Sequence, residues 1–213
     1  MTNIQEKIAS IKLIPVIKLD HAQDAIPLAE ALAEGGLPVM EITFRTDAAE
    51  ESIRAVSKAY PDILTGAGTV ITLEQVKRAH SAGAKYIVTP GISRPVIEYC
   101  CLNNIPVYPG ACTPTEIIQV MEFGLDVVKF FPSEQYGGLS TIKALSAPFS
   151  QIKFIPTGGI SESNLKEYLS FQKILACGGS WMVKDDLIKS KNFKEIKNKS
   201  KEAVELIKQG DSK

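Results

Sequence analysis

A lysine lies in the middle of a short apolar run of this sequence. Lys129 is flanked by Val128 and Phe130 in the stretch DVVKFF, and Phe131 follows directly. We expect this run to be a buried strand, where burial disfavours the charged ammonium and favours the neutral amine. A neutral amine is the nucleophile that forms an imine with a carbonyl substrate. Lys129 is therefore the predicted Schiff-base nucleophile, and a snorkelling or ion-paired structural lysine is the alternative.

Lys18 is a second lysine near the end of an apolar run. In LIPVIKLD it is followed by Leu19 and Asp20, which suggests a strand that is leaving the core. An amine close to solvent keeps its charge more readily than a buried one. We therefore rank Lys18 below Lys129 as the nucleophile.

A glutamate and an arginine share one face of another predicted strand. Period-two alternation in VMEITFRT places Glu41 and Arg45 together, opposite Met40, Ile42 and Phe44. The apolar face must pack against helices, so Glu41 is expected in the interior, where an unpaired carboxylate is costly. We predict that Glu41 is a general acid/base beside a cation, Arg45, that binds a substrate carboxylate. A purely structural Glu–Arg pair is the alternative.

Two glycine pairs follow the last two apolar runs. Gly158 and Gly159 lie in IPTGGI, whereas Gly179 completes the pair in ACGGSW and precedes Ser180. Glycine lets backbone N–H groups approach an anion closely, and a helix N-terminus adds a favourable dipole. A single Gly-Gly pair more often marks a tight turn, so the predicted phosphate site depends on the two pairs together.

Eight apolar runs that could position these residues alternate with amphipathic helical stretches. The runs cover residues 13–19, 39–44, 63–69, 86–90, 105–110, 126–131, 152–159 and 174–180. Strands that each precede a helical pattern predict parallel βα units. We predict one domain over residues 1–213, an α/β fold closed into a (β/α)₈ TIM barrel, with an extra N-terminal helix at about residues 3–10. A doubly wound open sheet is the alternative, and the charged stretch after residue 191 is expected to form an outer helix.

Composition argues against several classes of function. The 213 residues carry 24 Lys and Arg and 24 Asp and Glu, so no global field favours nucleic acid or an anionic membrane. No stretch approaches the roughly 18 apolar residues of a membrane span. The chain start lacks the apolar core of a signal peptide, and the four cysteines show no CxxC spacing. We expect a cytoplasmic protein without metal ion or cofactor, since His21 and His80 form no ligand cluster.

Taken together, the motifs resemble those of the bacterial KDPG aldolase family. These are 2-dehydro-3-deoxy-phosphogluconate aldolases, which often act on 4-hydroxy-2-oxoglutarate as well. The segments that carry the resemblance are EITFRT, GAGTV, TPG, PGACTPTE, VVKFFP, PTGGI and GGSW. They occur in the order and spacing of the family over nearly the whole chain. One departure is Ser133, where Ala is common, just outside the expected chemical centre.

The resemblance implies a role for each matching residue. Lys129 corresponds to the Schiff-base lysine, Glu41 to the proton shuttle, and Arg45 to the residue that contacts the pyruvyl carboxylate. The residues implied to line the pyruvyl pocket are Thr69, Pro90 and Phe131. Thr157 is implied to contact the substrate hydroxyls. The residues implied to bind the phosphate are Gly158, Gly159, Gly179 and Ser180.

The resemblance also implies a reaction, a pathway and an assembly. The substrate would be a 2-keto-3-deoxy sugar acid phosphate of the Entner–Doudoroff pathway, 2-dehydro-3-deoxy-6-phosphogluconate (KDPG). Its cleavage gives pyruvate and glyceraldehyde 3-phosphate, whereas 4-hydroxy-2-oxoglutarate (KHG) gives pyruvate and glyoxylate. The implied assembly is a homotrimer.

Three other functions are alternatives to the cleavage of KDPG. The first is cleavage of the galactonate epimer of KDPG, which Thr157 disfavours because relatives acting on that epimer tend to carry an apolar residue there. The second is a phosphate-binding barrel isomerase or synthase, which would need no imine. The third is a sugar-phosphate binder without activity.

Overall fold

Strands and helices alternate along the whole described chain, which covers residues 3–211 of the computed structural model. The strands are β1 (Leu13–Ile17), β2 (Val39–Thr43), β3 (Leu64–Gly68), β4 (Ile87–Val88), β5 (Val107–Tyr108), β6 (Val127–Phe130), β7 (Lys153–Pro156) and β8 (Cys177–Gly179). Each lies within one of the eight predicted runs.

The helices follow the strands in the predicted order. They are α1 (Asn3–Ile11), α2 (Ala25–Glu34), α3 (Ala49–Ala59), α4 (Leu73–Ser81), α5 (Arg94–Leu102), α6 (Pro114–Glu122), α7 (Gly138–Ser146), α8 (Leu165–Leu169), α9 (Asp185–Lys189) and α10 (Phe193–Asp211). Short 3₁₀ turns span Ala22–Asp24, Glu134–Tyr136 and Trp181–Val183.

All strand pairs are parallel, and neighbours along the chain are neighbours in space. Six strands form one sheet in the order β5-β4-β3-β2-β1-β8, and β6 pairs with β7. A doubly wound sheet reverses its strand order at a switch point, and the run from β1 to β5 contains no such reversal. The α/β class and the parallel βα units are confirmed. Parallel strands of this kind place their carboxyl ends along one edge, where binding sites form.

Alternate side chains of each strand face two different apolar clusters. Met40 and Ile42 of β2 pack with the helices, as do Val128 and Phe130 of β6. The opposite face contributes to a smaller cluster, here called the inner cluster. Its members are Ile8, Ile14, Val39, Leu64, Tyr86, Val88, Tyr108, Val127, Ile155, Leu175 and Ala176. The predicted alternation is confirmed, and it places Glu41 and Lys129 on the face of the inner cluster.

The first and the last helix, α1 and α10, each pack against other parts of the fold. Ile8 of α1 belongs to the inner cluster, so this helix covers one end of it. Helix α10 packs against α2 and α8 and buries Ile196 and Ala203, as expected for the charged stretch after residue 191. No helix within residues 3–211 has the length and apolar character needed to cross a membrane.

The cysteines are free thiols that pack within the protein. Cys100 and Cys177 are buried, whereas Cys101 and Cys112 are half-buried. Burial raises the pKa of each thiol, to about 12 for Cys100. These groups are therefore protonated near neutral pH, which favours packing over nucleophilic chemistry.

Candidate active site

Glu41 of β2 and Lys129 of β6 form a buried ion pair. Lys129 Nζ lies 3.2 Å from Glu41 Oε1, and the side chains are 6% and 3% exposed. Among the described residues, Glu41 pairs with this lysine and not with Arg45, the partner considered in the structural alternative. A carboxylate at this distance can take a proton from the ammonium and leave a nucleophilic amine. The geometry therefore joins the two side chains that the sequence pattern assigned to nucleophile and acid/base.

Two glycines of β3 make space, one for Glu41 and the other for the ring of Tyr86. A β-carbon built at Gly68 would lie 2.0 Å from Glu41 Oε1, and one at Gly66 would lie 2.2 Å from the ring of Tyr86. The hydroxyl of Tyr86 donates to the carbonyl of Met40 at 3.1 Å, so its only proton is used away from Glu41. Gly68 was missed as a functional position, although the Gly-Ala-Gly spacing within a strand was the available signal.

Burial leaves Tyr86 in its neutral form beside the pair. Desolvation is the main cause that raises the pKa of Tyr86 well above its ordinary value, and the negative charge of Glu41 adds to it. Tyr86 therefore supplies an uncharged aromatic neighbour to the carboxylate.

Arg45 is held beyond the end of β2 by a chain of two hydrogen bonds. Its Nε donates to Thr43 Oγ1 at 3.1 Å, and that hydroxyl donates to the carbonyl of Ile17 in β1 at 2.8 Å. Thr43 is buried, whereas Arg45 is exposed. Because a hydroxyl has one proton, donation to Ile17 directs a lone pair at the guanidinium. The arrangement leaves further guanidinium N–H groups available to an anion.

Phe131 links the ion pair to an open pocket. The centre of its ring lies 5.4 Å from Lys129 Nζ, and the side chain is 39% exposed. Phe131 and Pro90 line a pocket of about 420 Å³, here called the aromatic pocket, together with Tyr136 and Cys112. Two of the three residues expected around a pyruvyl group thus share this pocket.

Thr69, the third of these residues, follows β3 in an unusual conformation. Its φ of +56° is in the left-handed region, which β-branched residues rarely adopt. Backbone strain of this kind concentrates at binding and catalytic sites. Thr69 is not among the residues that line the aromatic pocket, although it follows Gly68, the glycine that faces Glu41.

The glycine pairs converge on a second pocket, of about 170 Å³, here called the glycine pocket. The residues from the sequence prediction that line it are Arg45, Phe131, Thr157, Gly158, Gly159, Gly179 and Ser180. Gly158 and Gly159 have φ of +93° and +82°, values that favour glycine strongly. Segments after β7 and β8 therefore meet beside Arg45, and Phe131 lines both pockets.

Gly179 has no room for a side chain, because a ring lies directly beside it. A β-carbon at this position would lie 2.0 Å from the ring of Trp181. Trp181 is buried in the larger apolar cluster, which also contains Met40, Ile42 and Phe130. The space beside Gly179 is thus filled by an indole ring.

Lys18 lies in a charged cluster of its own. Its Nζ is 3.0 Å from Asp20 Oδ1 and 3.6 Å from Asp185 Oδ2. The hydrogen bond to Asp20 is the main cause that raises the pKa of Lys18. Lys18 therefore remains a charged ammonium at neutral pH, in line with its lower rank as nucleophile.

The described residues include no group of three or more His, Cys, Asp or Glu side chains placed to hold a metal ion. The chemistry that this arrangement can perform is proton transfer and nucleophilic attack by the Glu41–Lys129 pair.

Comparison with known proteins identifies the family. Residues 4–199 match the family model described as KDPG and KHG aldolase. A 2-dehydro-3-deoxy-phosphogluconate aldolase of Haemophilus influenzae is 46% identical over 205 residues, which cover 96% of this chain and 97% of that protein. The KHG/KDPG aldolase of Escherichia coli is 38% identical over 204 residues, 96% of each chain.

A solved structure agrees with this assignment. It is the KDPG aldolase of Legionella pneumophila with pyruvate captured at low pH as a covalent carbinolamine intermediate. Its TM-score is 0.91 at 38% identity, with coverage of 95% of this chain and 98% of that one. The conserved architecture and the match over residues 4–199 lead to one conclusion: this chain belongs to the KDPG and KHG aldolase family.

Proposed function

We propose that this chain is a metal-independent class I aldolase that cleaves KDPG to pyruvate and glyceraldehyde 3-phosphate. The observation that carries the proposal is the buried contact of 3.2 Å between Lys129 Nζ and Glu41 Oε1. An imine-forming lysine needs a proton acceptor within reach. The Haemophilus influenzae relative is named for this substrate, and the Legionella pneumophila structure contains the covalent pyruvate adduct that precedes an imine.

The reaction begins when Glu41 takes a proton from Lys129. The neutral amine attacks the C2 ketone to give a carbinolamine. Glu41 then returns its proton to the carbinolamine hydroxyl, which leaves as water and gives an iminium cation. This cation accepts the electron pair of the C3–C4 bond while the C4 hydroxyl loses its proton. Glu41, directly or through water, takes that proton and later protonates C3 of the enamine. Hydrolysis of the resulting imine releases pyruvate and regenerates Lys129.

The remaining site residues hold the substrate around this pair. Arg45 binds the pyruvyl carboxylate, and its exposed guanidinium anchored on Thr43 supports this role. Thr69, Pro90 and Phe131 line the pyruvyl group, a role supported by the 5.4 Å contact of Phe131 with Lys129.

The phosphate end of the substrate occupies the glycine pocket. Thr157 contacts the substrate hydroxyls, and the phosphate binds at Gly158, Gly159, Gly179 and Ser180. The convergence of these five residues on one pocket beside Arg45 supports the assignment. A polar Thr157 lining that pocket also favours KDPG over its galactonate epimer.

KHG is a second substrate of the same centre. It shares the 2-keto-4-hydroxy acid unit on which the imine chemistry acts, and its cleavage gives pyruvate and glyoxylate. The Escherichia coli relative, named KHG/KDPG aldolase, supports this extension. A barrel isomerase, a synthase or a sugar-phosphate binder would have no use for the buried Lys–Glu pair.

The eight strands close into a (β/α)₈ barrel, with α1 as an extra N-terminal helix. Hydrogen bonds from Lys129 N to Pro109 O and from Ala111 N to Lys129 O support a junction of β5 with β6. A bond from Leu175 N to Phe154 O and a bridge between Thr157 and Gly178 support a junction of β7 with β8. All eight strand regions contribute side chains to the inner cluster, and such side chains fill the interior of a barrel of this kind.

The assembly is a cytoplasmic homotrimer that serves the Entner–Doudoroff pathway. Exposed apolar side chains of Ile71, Leu102 and Ile118 offer contact surface for a second copy. The four free cysteines are in keeping with a reducing compartment. Sedimentation velocity measures the assembly directly, and a monomer at micromolar concentration would contradict the trimer.

Borohydride trapping tests the aldolase proposal. The protein is incubated with pyruvate and sodium borohydride, and the intact mass and peptide map are recorded. One reduced pyruvate adduct on Lys129 is expected, together with turnover of KDPG in an assay coupled to lactate dehydrogenase. Lys18→Met is the matched control and retains both. An adduct on Lys18, or no adduct at all, would refute the assignment.

A further inference from the structure

Three polar side chains meet beside the segment Thr157–Gly159, here called the glycine loop. Tyr168 of α8 donates its hydroxyl proton to Glu134 Oε1. Ser133 Oγ lies 3.0 Å from the same phenolic oxygen. Because the proton of Tyr168 is committed to Glu134, Ser133 is the donor in the second bond. Ser133 and Tyr168 are 0% and 2% exposed, so the bond between them is shielded from water, whereas Glu134 is exposed.

The backbone of the same residues holds the glycine loop directly. Ser133 N donates to Thr157 O at 2.8 Å, and Glu134 N donates to Gly158 O at 3.1 Å. Two consecutive carbonyl groups of the loop are thus fixed by two consecutive amides. Any shift of residues 133 and 134 moves these carbonyl groups with them.

The side chain of Glu134 also covers Gly159. A β-carbon at Gly159 would lie 2.3 Å from Glu134 Cγ, so the glycine and the glutamate are in close contact. Tyr168 holds the carboxylate of Glu134 through its hydroxyl. Burial and this bond raise the pKa of Tyr168 to about 12, so the phenol keeps its proton over the working range of the enzyme. Without the bond, the carboxylate would be free to turn towards an anion at the glycine loop, which it would repel.

We propose that Ser133, Glu134 and Tyr168 form a positioning unit that sets the glycine loop and thereby the preference for phosphorylated substrates. None of the three is among the residues that line the glycine pocket, so they act through the loop and not by contact with substrate. The inference rests on the proposed function, in which the glycine loop binds the phosphate of KDPG.

The test compares KDPG with KHG, which has no phosphate, in Tyr168→Phe. The KM for KDPG is expected to rise about tenfold, the effect of one lost hydrogen bond, while kcat is unchanged. The kcat/KM for KHG is expected to stay at the wild-type value. Ser133→Ala is expected to raise KM for KDPG by less, because the amide of residue 133 still donates to Thr157 O and Ala is common at this position in the family. Its control is Ser200→Ala in α10, an equally buried hydroxyl that donates to Ile196 O at 2.8 Å.

Two variants of the exposed Glu134 keep the test open if Tyr168→Phe fails to fold. Glu134→Gln retains an oxygen that accepts from Tyr168 and is expected to keep the KDPG preference. Glu134→Ala removes the side chain that packs against Gly159 as well as the acceptor for Tyr168, and it is expected to lose that preference. Equal losses on the two substrates would overturn the positioning role. So would an unchanged KM for KDPG in Tyr168→Phe or, if that variant does not fold, in Glu134→Ala. A wild-type protein that cleaves neither substrate would overturn the proposed function instead.

Discussion

The carboxylate of Glu41 occupies the space in which Gly68 would carry a side chain. A β-carbon at Gly68 would lie 2.0 Å from Glu41 Oε1 and 2.6 Å from Cδ, distances that no real contact allows. Glu41 can face Lys129 because β3 has a glycine at this register, where Gly68 pairs with Thr43 of β2. The acid/base group and its neighbouring strand are therefore fitted to each other.

Gly68→Ala is expected to displace Glu41 and reduce turnover of KDPG. A displaced general base costs roughly 10²–10⁴-fold in rate, and the added methyl group destabilises the fold by about 1–3 kcal/mol. Turnover and urea unfolding measure the two effects separately. Gly210→Ala is the control, since a β-carbon at Gly210 meets nothing within 4 Å. Wild-type turnover in Gly68→Ala would mean that Glu41 tolerates the shift.

Glu41→Gln is expected to form the pyruvate adduct more slowly, but still to accumulate it during a long borohydride trapping, and to lose most of its turnover. Gln is similar in size to Glu yet cannot accept a proton, so the loss is roughly 10²–10⁴-fold. Borohydride trapping and the coupled assay measure the two steps. Glu98→Gln on the exposed face of α5, where Glu98 pairs with Arg94, serves as the control. Turnover near the wild-type rate would show that Glu41 is only structural.

Thr43→Val is expected to raise KM for KDPG and KHG alike. The change removes the hydroxyl that accepts from Arg45 Nε, and both substrates share the carboxylate that Arg45 is proposed to bind. A lost hydrogen bond to a charged group predicts an increase of roughly tenfold or more. Thr43→Ser should restore affinity. Thr46→Val, which removes a hydroxyl bonded to Leu19 O in the same region, is the control. An effect on KDPG alone would argue against this role.

Ser180→Ala is expected to weaken the cleavage of KDPG selectively. Ser180 lines the glycine pocket, and one hydroxyl donor to a charged acceptor is worth roughly 1.5–3 kcal/mol. The kcat/KM for KHG should not change, because KHG carries no phosphate. Equal losses on both substrates would place the phosphate elsewhere. Gly179→Val cannot serve as a second test of the phosphate site. Its β-carbon would collide with Trp181, and the disturbed packing would reduce the cleavage of both substrates.

The thiols are expected to react slowly with iodoacetamide at pH 8. Burial raises the pKa of all four, so at this pH they remain protonated, and only the thiolate reacts. The half-buried Cys101 and Cys112 should be modified before the buried Cys100 and Cys177. Mass spectrometry of alkylated peptides, with and without urea, measures the order. Rapid labelling of Cys177 in the folded protein would contradict its burial.

Local patterns in the sequence were sufficient for much of the site. Period-two alternation in β2 and β6 correctly separated Glu41 and Lys129 from their helix-facing neighbours, because strand geometry is set by the backbone alone. Thr113 and Glu116 show the Thr-x-x-Glu spacing that is typical of a capping box, and they form one at the start of α6.

Contacts between distant segments were beyond the reach of these patterns. Ser133 and Tyr168 are 35 positions apart, and nothing in the local sequence of either indicates the other. Alternation predicts which face of a strand a side chain is on, but not which residue of the neighbouring strand lies beside it. Gly68 was therefore not recognised as the residue that faces Glu41. The left-handed conformation of Thr69 was equally hidden, since β-branched residues disfavour it.

Glu41 and Lys129 are 88 positions apart in the sequence, so the active site is expected to form late in folding. Helices and neighbouring βα units depend on local contacts and form quickly, whereas contacts between distant segments bear a loop-closure cost and form slowly. The nucleophile and its proton acceptor become neighbours only once both halves of the chain have joined. After dilution from denaturant, we therefore expect turnover to return later than the helical circular dichroism signal, once the two distant segments have come together.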